Sequence, residues 1–314
     1  MTATKHRTLT SAENVSFVTG ATGNVGRHVV SGLLATGARV RALTRNPETA
    51  GLPPEVDVVR GDLDATRGLE KYLDSVDTVF LLWRSMTADT APQFLEAASK
   101  HARRIVFLSS SAIRDGVKEQ SNPIGKVHAD IENLIQRSGL EWTFLRPGGF
   151  ATNALMWWGP QIRAGNIIRW PYGGASFAPI HERDIAAVAV RALTEHGHDR
   201  AKYILTGPQA LTQIEQVAIL ADTIGRSLRF EEISPDAARE QMRTMLPPFI
   251  VEVLLEVMAT LSSQPAPVTS TVAEVTGLAA RTYRQWAADH AADLQLASAS
   301  SAVPSRAPSG VVAN

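Results

Sequence analysis

The sequence predicts an α/β protein, a doubly wound parallel sheet with a small, mostly helical C-terminal lobe. Three observations lead there. Short apolar runs alternate with segments of helical period over the first 150 residues. The run Asp77-Thr78-Val79-Phe80-Leu81-Leu82 is almost wholly apolar, as suits a parallel strand buried on both faces. A glycine turn, Gly20-Ala21-Thr22-Gly23-Asn24-Val25-Gly26, stands between the first apolar run and the first helical segment.

The elements follow in order. Val15–Val18 reads as a strand and Arg27–Leu34 as its helix. Ala38–Thr44 alternates as a second strand and ends in the turn signal Arg45-Asn46-Pro47. Glu55–Val59 is a third strand, and a helix is expected through Leu69–Leu73. Helix Ala91–Lys100 leads to a buried strand at Arg104–Ser109, and polar Ala112–Pro123 reads as a mobile loop. Helix Gly125–Ser138 and strand Glu141–Leu145 complete the alternation. From about Ala151 it fades into aromatic, glycine-rich loops at Met156–Pro160 and Pro171–Gly174. Helices are expected at Glu182–Glu195, Thr212–Ile224, Pro235–Met245, Pro248–Leu261 and Arg281–Ala292. The organisation predicted is a disordered N-terminus at 1–13, a dinucleotide-binding domain at 14–150 and a substrate lobe at 151–296. The lobe is interleaved with the core, to which later segments return. An Ala/Ser/Pro-rich tail at 297–314 has no periodicity and is expected to be disordered.

Composition narrows the function. The 314 residues are 44% hydrophobic and 20% charged with formal net charge +0, so no global field argues for nucleic acid or an anionic membrane. There are no cysteines, which removes disulfides, thiolate metal sites and thiol nucleophiles together. The polar start, Met1–Glu13, has no secretory apolar core. Phe249–Leu261 is too short to span a bilayer and carries Glu252 and Glu256. A cytoplasmic protein acting on a small hydrophobic molecule, with no metal, is expected; a homo-oligomer stays open.

The glycines have separate tasks. Gly20 permits the tight turn, Gly23 lets the backbone approach a pyrophosphate, and Gly26 lets helix and strand pack closely. The helix N-terminus then offers free N–H groups and a positive dipole end to phosphates. Thr22, Asn24 and Val25 belong to the same cradle. At the end of the second strand an acidic residue would bind a ribose 2′-hydroxyl, whereas an arginine accommodates a 2′-phosphate. The position carries Arg45, with no carboxylate until Glu48, so NADP(H) is expected over NAD(H). Arg27 can add a second positive charge. Asp62 and Leu63, just past the third strand, suit the adenine. Leu81, Leu82 and Trp83, with Ser109, Ser110 and Ser111, close two strands at their carboxyl ends, where ligands of open α/β sheets bind.

Several segments then resemble the NmrA-like group of atypical short-chain dehydrogenases/reductases. They are the glycine turn, Arg41–Pro47, Gly61-Asp62-Leu63, Ile131–Ile135, Ser138–Phe150 with Asn153, Pro179–Ala186 and Tyr203–Pro208. The resemblance covers roughly residues 15 to 290 and implies a Rossmann-type NAD(P)-binding domain with a small substrate lobe. Pro147 and Phe150 fall on its cofactor side. It also implies a structural link through His181 and Asp184, with Asp184 capping a helix. Members include quinone and isoflavone-type reductases and redox-sensing regulators.

Ordinary short-chain reductases use a tyrosine acid with a lysine four residues on. Here Tyr72, Tyr172, Tyr203 and Tyr283 are followed at that distance by Val76, Ser176, Gly207 and Ala287. The nearest substitutes are Lys126, placed to bind nicotinamide ribose hydroxyls, and His128, which can donate a proton near neutral pH and can share a helix face with Glu132. Hydride transfer to a delocalised acceptor needs mainly position and a dry wall. Ser110, Phe150, Trp157, Trp158 and Tyr172 are the substrate candidates, with Met156, Trp170 and Phe177 as further wall. His196, His198 and Asp199 read as a surface turn rather than a metal site. The expected activity is NADP(H)-dependent reduction of a small hydrophobic carbonyl, enone or quinone. A non-catalytic NADP(H) sensor and a cofactor-assisted isomerase or cyclase are the alternatives.

Overall fold

The computed structural model describes residues 15–295, so the disorder expected at 1–13 and 297–314 lies outside the described residues. The chain forms two compact units. Of the described residues, the first holds 15–109, Ala129–Phe144 and Ala186–Lys202; the second holds Ser110–His128, Leu145–Ile185 and 203–295.

The elements in order are β1 (Val15–Thr19), α1 (Gly26–Ala35), β2 (Arg39–Thr44), β3 (Asp57–Arg60), β4 (Val76–Leu82), α2 (Ala91–Ser99), β5 (Arg104–Leu108), α3 (Pro123–Arg137) and β6 (Glu141–Pro147). Then come α4 (Asn153–Trp157), α5 (Gly159–Ala164), β7 (Ile167–Trp170), β8 (Ser176–Phe177), α6 (Glu182–Thr194), β9 (Ala201–Leu205) and β10 (Leu211–Thr212). The remainder is α7 (Gln213–Ile224), β11 (Arg229–Glu232), α8 (Pro235–Arg243), α9 (Pro248–Leu261), α10 (Thr271–Thr276), α11 (Tyr283–Asp289) and α12 (Ala291–Gln295).

Seven strands form the central sheet in the order β3-β2-β1-β4-β5-β6-β9, a Rossmann-like arrangement. The pairs β2·β3, β1·β2, β1·β4 and β4·β5 are parallel, with Val18 opposite both Ala42 and Phe80. All five residues of β1 and of β5 are buried, which is why these runs read as continuous rather than alternating. Phe17 of β1 meets Phe94 of α2 with ring centroids 6.4 Å apart. At Gly32 in α1 a Cβ would lie 2.8 Å from Val190 of α6, so the small residue sets how closely those helices approach. The order reverses between β1 and β4, and the crevice outside their carboxyl ends is where such sheets take ligands.

Four expectations change. The helix expected at Leu69–Leu73 is one 3₁₀ turn, Glu70–Tyr72, bracketed by positive φ at Gly68 and Ser75 that leaves no room for an α-helix. The late helix divides at His290, whose backbone (φ −111, ψ 13) is not helical, and it starts at Tyr283 behind a Thr282–Gln285 capping box. The aromatic loop at Met156–Pro160 is two short helices, α4 and α5, with Pro160 in the first turn of the second. The seventh strand, β9, was not foreseen, because only Leu205 of its five residues is buried and no strong periodicity marks it.

The segment read as a mobile loop, Ala112–Pro123, is tied at several points. Arg114 and Gln120 exchange hydrogen bonds of 2.9 and 2.7 Å, and Asp115 takes both terminal nitrogens of buried Arg146 at 2.7 and 3.1 Å. Asn122 Oδ1 accepts from the N–H groups of Ile124 (2.8 Å) and Gly125 (3.2 Å), capping α3. Polar composition marked this stretch as a loop; the partners that order it are visible only in three dimensions.

Candidate functional site

In the first unit the site grows from the end of β1. The Thr19 hydroxyl accepts the Leu82 N–H at 2.7 Å, locking the ends of β1 and β4 together. Gly20 follows with φ +64, a conformation that favours glycine. Its carbonyl accepts Gly23 N–H at 2.9 Å, and a Cβ on Gly26 would stand only 2.1 Å from that same oxygen. Gly26 is therefore fixed as glycine by backbone, which cannot yield. α1 starts there with no side-chain cap and no acidic residue in its first turn. Among the described residues the N–H groups of Asn24 and Val25 reach no protein acceptor. Thr22 and Asn24 are exposed, Val25 and Gly26 buried. An uncapped helix start behind a Cβ-free turn fits a dinucleotide pyrophosphate.

Arg45 lies exposed at the carboxyl end of β2, and among the described residues its guanidinium has no ion-pair or hydrogen-bond partner. Glu48, the nearest carboxylate downstream, is held by Arg60 at 2.5 Å, and Arg60 also donates to the Arg45 carbonyl at 2.8 Å. Arg27 folds back on the glycine turn, donating to the carbonyls of Gly23 (3.3 Å) and Thr22 (3.0 Å). Asp62 receives the Asp64 N–H at 3.1 Å in a local turn, and Leu63, half-buried, gives its carbonyl to Thr90 at 2.7 Å. Leu81 and Trp83 are buried and Leu82 half-buried; the Trp83 indole donates to the Thr87 carbonyl at 2.8 Å. Ser109 is fully buried at the end of β5 and donates to Glu132 of α3 at 2.5 Å.

The second unit carries the remaining candidates. Lys126 is exposed on the first turn of α3, and His128 is buried one turn into the same helix. His128 Nδ1 is 2.8 Å from the Ile124 carbonyl, an oxygen that can only accept. The neutral ring thus carries its proton on Nδ1. Ser110, also buried, accepts the Ala112 N–H at 3.2 Å, and Pro147 accepts Ser111 N–H at 3.1 Å. Phe150 is half-buried in a parallel bridge to Ile180. Trp157 stacks on Trp170 (5.9 Å, 22°), with Trp158 edge-on at 6.2 Å and Phe177 at 6.3 Å. Trp158 and Trp170 are fully buried, and Met156 is half-buried beside them in sequence. Tyr172 sits at φ +54, its carbonyl held by Gln213 at 2.8 Å.

Two tyrosines are poor acids for a simple reason. Burial raises the phenol of Tyr203 and raises that of Tyr283 far more.

Elsewhere in the second unit His181, expected as part of a structural link, belongs to a charged cluster with Glu182, Asp289 and His290, which the sequence did not single out. Glu182, at the start of α6, is 2% exposed and accepts His290 Nε2 at 2.7 Å. His181 lies 3.2 Å from Glu182 through Nδ1 and 3.2 Å from Asp289 through Nε2, and Arg183 reaches Asp289 at 2.9 Å. Burial would raise the Glu182 carboxyl, but the adjoining imidazoles, His181 close by and His290 hydrogen-bonded to it, outweigh that and hold it far below the usual carboxylate range. His290 is correspondingly raised, chiefly by Glu182. Asp184 does not cap a helix. It lies inside the first turn of α6, where a carboxylate suits the helix dipole, and takes the backbone N–H of Arg281 at 2.7 Å together with its guanidinium.

Among the described residues no three His, Asp or Glu side chains are grouped to hold a metal ion, and no helix is long and apolar enough to cross a membrane. Besides Glu182 and His290, Arg60 is a residue the sequence did not single out, and Glu132, expected beside His128, instead accepts from Ser109. Arg60 was findable, because parallel β2 and β3 place Thr44 opposite Arg60.

Comparison with known proteins agrees with this geometry. A family model described as NAD(P)H-binding matches residues 20–196. The chain is 40% identical over 278 residues to the (4-alkanoyl-5-oxo-2,5-dihydrofuran-3-yl)methyl phosphate reductase of Streptomyces griseus, covering 88% of this chain and 97% of that one. It is 34% identical over 281 residues to the NAD(P)H azoreductase of Xenophilus azovorans, covering 88% and 98%. The fold is shared with a Citrobacter triphenylmethane reductase solved with NADP(H): TM-score 0.72, 21% identity, 88% and 99% of the two chains.

Proposed function

Because the chain belongs to the NAD(P)H-binding family, in its NmrA-like group of oxidoreductases, we propose that it is an NADP(H)-preferring reductase of small hydrophobic carbonyls, enones or quinones. The observation that carries the cofactor preference is the Arg45 guanidinium, unpaired among the described residues, with Glu48 already taken by Arg60. A 2′-phosphate meets a cation there, whereas the carboxylate that would take a 2′-hydroxyl, Glu48, is engaged by Arg60. The two relatives named as reductases support the reaction class.

The bound nicotinamide supplies the hydride, and the chain supplies position, exclusion of water and any proton. Lys126 holds ribose hydroxyls and His128 supplies a proton. With Nδ1–H committed to Ile124, donation from Nε2 requires the imidazolium. Ser110, Phe150, Trp157 and Tyr172 are the substrate residues, with fully buried Trp158 supporting Trp157 edge-on from behind. A quinone or enone spreads the incoming charge, so it tolerates the missing tyrosine acid better than a simple ketone does.

NADPH oxidation against a panel of quinones, enones and simple ketones tests the reading. Turnover is expected with the delocalised acceptors, and His128→Ala is expected to slow ketones more than quinones. Tight NADPH binding without oxidation across the panel would overturn the reductase assignment. Arg45→Ala should lower the NADPH-over-NADH affinity ratio about tenfold or more, the loss of a charge-assisted phosphate contact. An unchanged ratio removes the proposed 2′-phosphate contact.

A further inference from the structure

The end of β2 holds a second cation whose role is separate from that of Arg45. Arg60 closes β3 in register with Thr44, so its side chain reaches across the turn that follows β2. One terminal nitrogen donates to the Arg45 carbonyl at 2.8 Å, and the other meets Glu48 Oε1 at 2.5 Å. Glu48 sits in the one-turn helix Pro47–Thr49, three residues past the arginine expected to meet the cofactor. Its carboxyl lies below the ordinary value, through its own backbone N–H first and Arg60 second, so it is ionised at neutral pH. Left alone, that carboxylate would repel a 2′-phosphate and accept from a 2′-hydroxyl, which is the opposite selection.

We propose that Arg60 is a specificity-determining residue for the nicotinamide cofactor. It neutralises Glu48 and holds the Arg45 carbonyl, so the β2 turn presents a net cation to the adenosine ribose. The assignment rests on the NADP(H) preference proposed above and deepens it. Arg60 acts through Glu48, as a positioning and charge-cancelling residue, and Arg45 is the group that meets the phosphate. Both ions of the pair are more than half exposed, so the pair contributes little to stability and its effect falls on selection.

The test is a double-mutant cycle read by equilibrium binding of NADPH and NADH, with 2′,5′-ADP and 5′-AMP as fragments that differ in the 2′-phosphate. Arg60→Gln keeps a donor for the Arg45 carbonyl while removing the charge. It is expected to lower the NADPH-over-NADH ratio about tenfold, partly by tightening NADH, at low salt where exposed charges are least screened. Glu48→Gln alone leaves the Arg60 charge uncompensated beside Arg45, so the ratio should hold or rise rather than fall. In the Arg60→Gln background it should restore most of the lost preference.

An unchanged ratio in Arg60→Gln overturns the proposal. So does a double variant as impaired as Arg60→Gln, since Arg60 would then be acting without Glu48. Arg45→Ala keeps the two readings distinguishable. If that variant leaves the ratio unmoved, the 2′-phosphate contact itself fails. If it lowers the ratio while Arg60→Gln does not, only the role of Arg60 falls.

Discussion

The glycine turn of the first unit and the His181–Glu182–His290 cluster of the second differ in what they are made of. The turn is built from consecutive residues, Gly20 to Gly26, and works through backbone: one positive φ, one carbonyl and a row of N–H groups. The cluster works through side chains 108 positions apart in the chain, only 1–2% exposed at His181 and Glu182. A device made of backbone needs small residues at fixed spacing, and that spacing is written in the sequence. One made of side chains needs only that distant residues meet.

The largest effect should come from breaking the turn. Gly26→Ala puts a Cβ 2.1 Å from the Gly20 oxygen, where no side-chain rotation relieves it. NADPH binding should weaken about 100-fold, with a stability loss of about 1–3 kcal/mol, measured by titration and thermal unfolding. An alanine variant with native affinity would show that the close approach is not needed.

Breaking the cluster should act on stability alone. Glu182→Ala removes the acceptor of His290 Nε2, and should cost about 3 kcal/mol in denaturant unfolding, as for one partner lost from a buried charged pair. Equal effects on NADPH affinity and on stability would erase the distinction drawn between the two regions.

A smaller effect concerns pH. His290 is raised above its ordinary 6.5, so its contribution is full below that value and is lost as pH rises through the folded value. Glu182 is lowered, so its contribution is present above 4.5 and is lost as pH falls through its folded value. The cluster should therefore stabilise most between about 4.5 and 6.5. The melting temperature of the protein relative to His290→Gln should decline above that window, by an amount worth about 1 kcal/mol. A difference that does not vary with pH would mean that the imidazolium is not what Glu182 holds.

The smallest effect sharpens the contrast from the other side. Thr212 and Glu215 form a complete capping box at the start of α7, a local device within the second unit. Thr212→Ala should cost about 1 kcal/mol in chemical unfolding, with NADPH affinity unchanged.

Locality also explains which expectations held. The helix beginning at Thr212 was placed within a residue, because its cap and its glycine stop at Gly225 are local signals. The strand β9 was missed, and α11 and α12 were read as one helix, because nothing near them in sequence marks the edge of a sheet or the break at His290. Within the candidate site Arg45 was legible from its place after an alternating strand. Its neighbour Arg60, fifteen residues on, was not read as part of the same turn. Ser109 was legible as a strand end, while Glu132 gave no sign that it would accept its hydroxyl.

By itself the sequence determined the Rossmann-like sheet, the dinucleotide turn and the family, because apolar periodicity and glycine spacing encode backbone directly. Only the tertiary structure decided that Glu48 belongs to Arg60, Asp115 to Arg146 and Glu182 to two histidines. Charged side chains pair according to where folding brings them, and a linear chain does not record the distances between groups far apart along it.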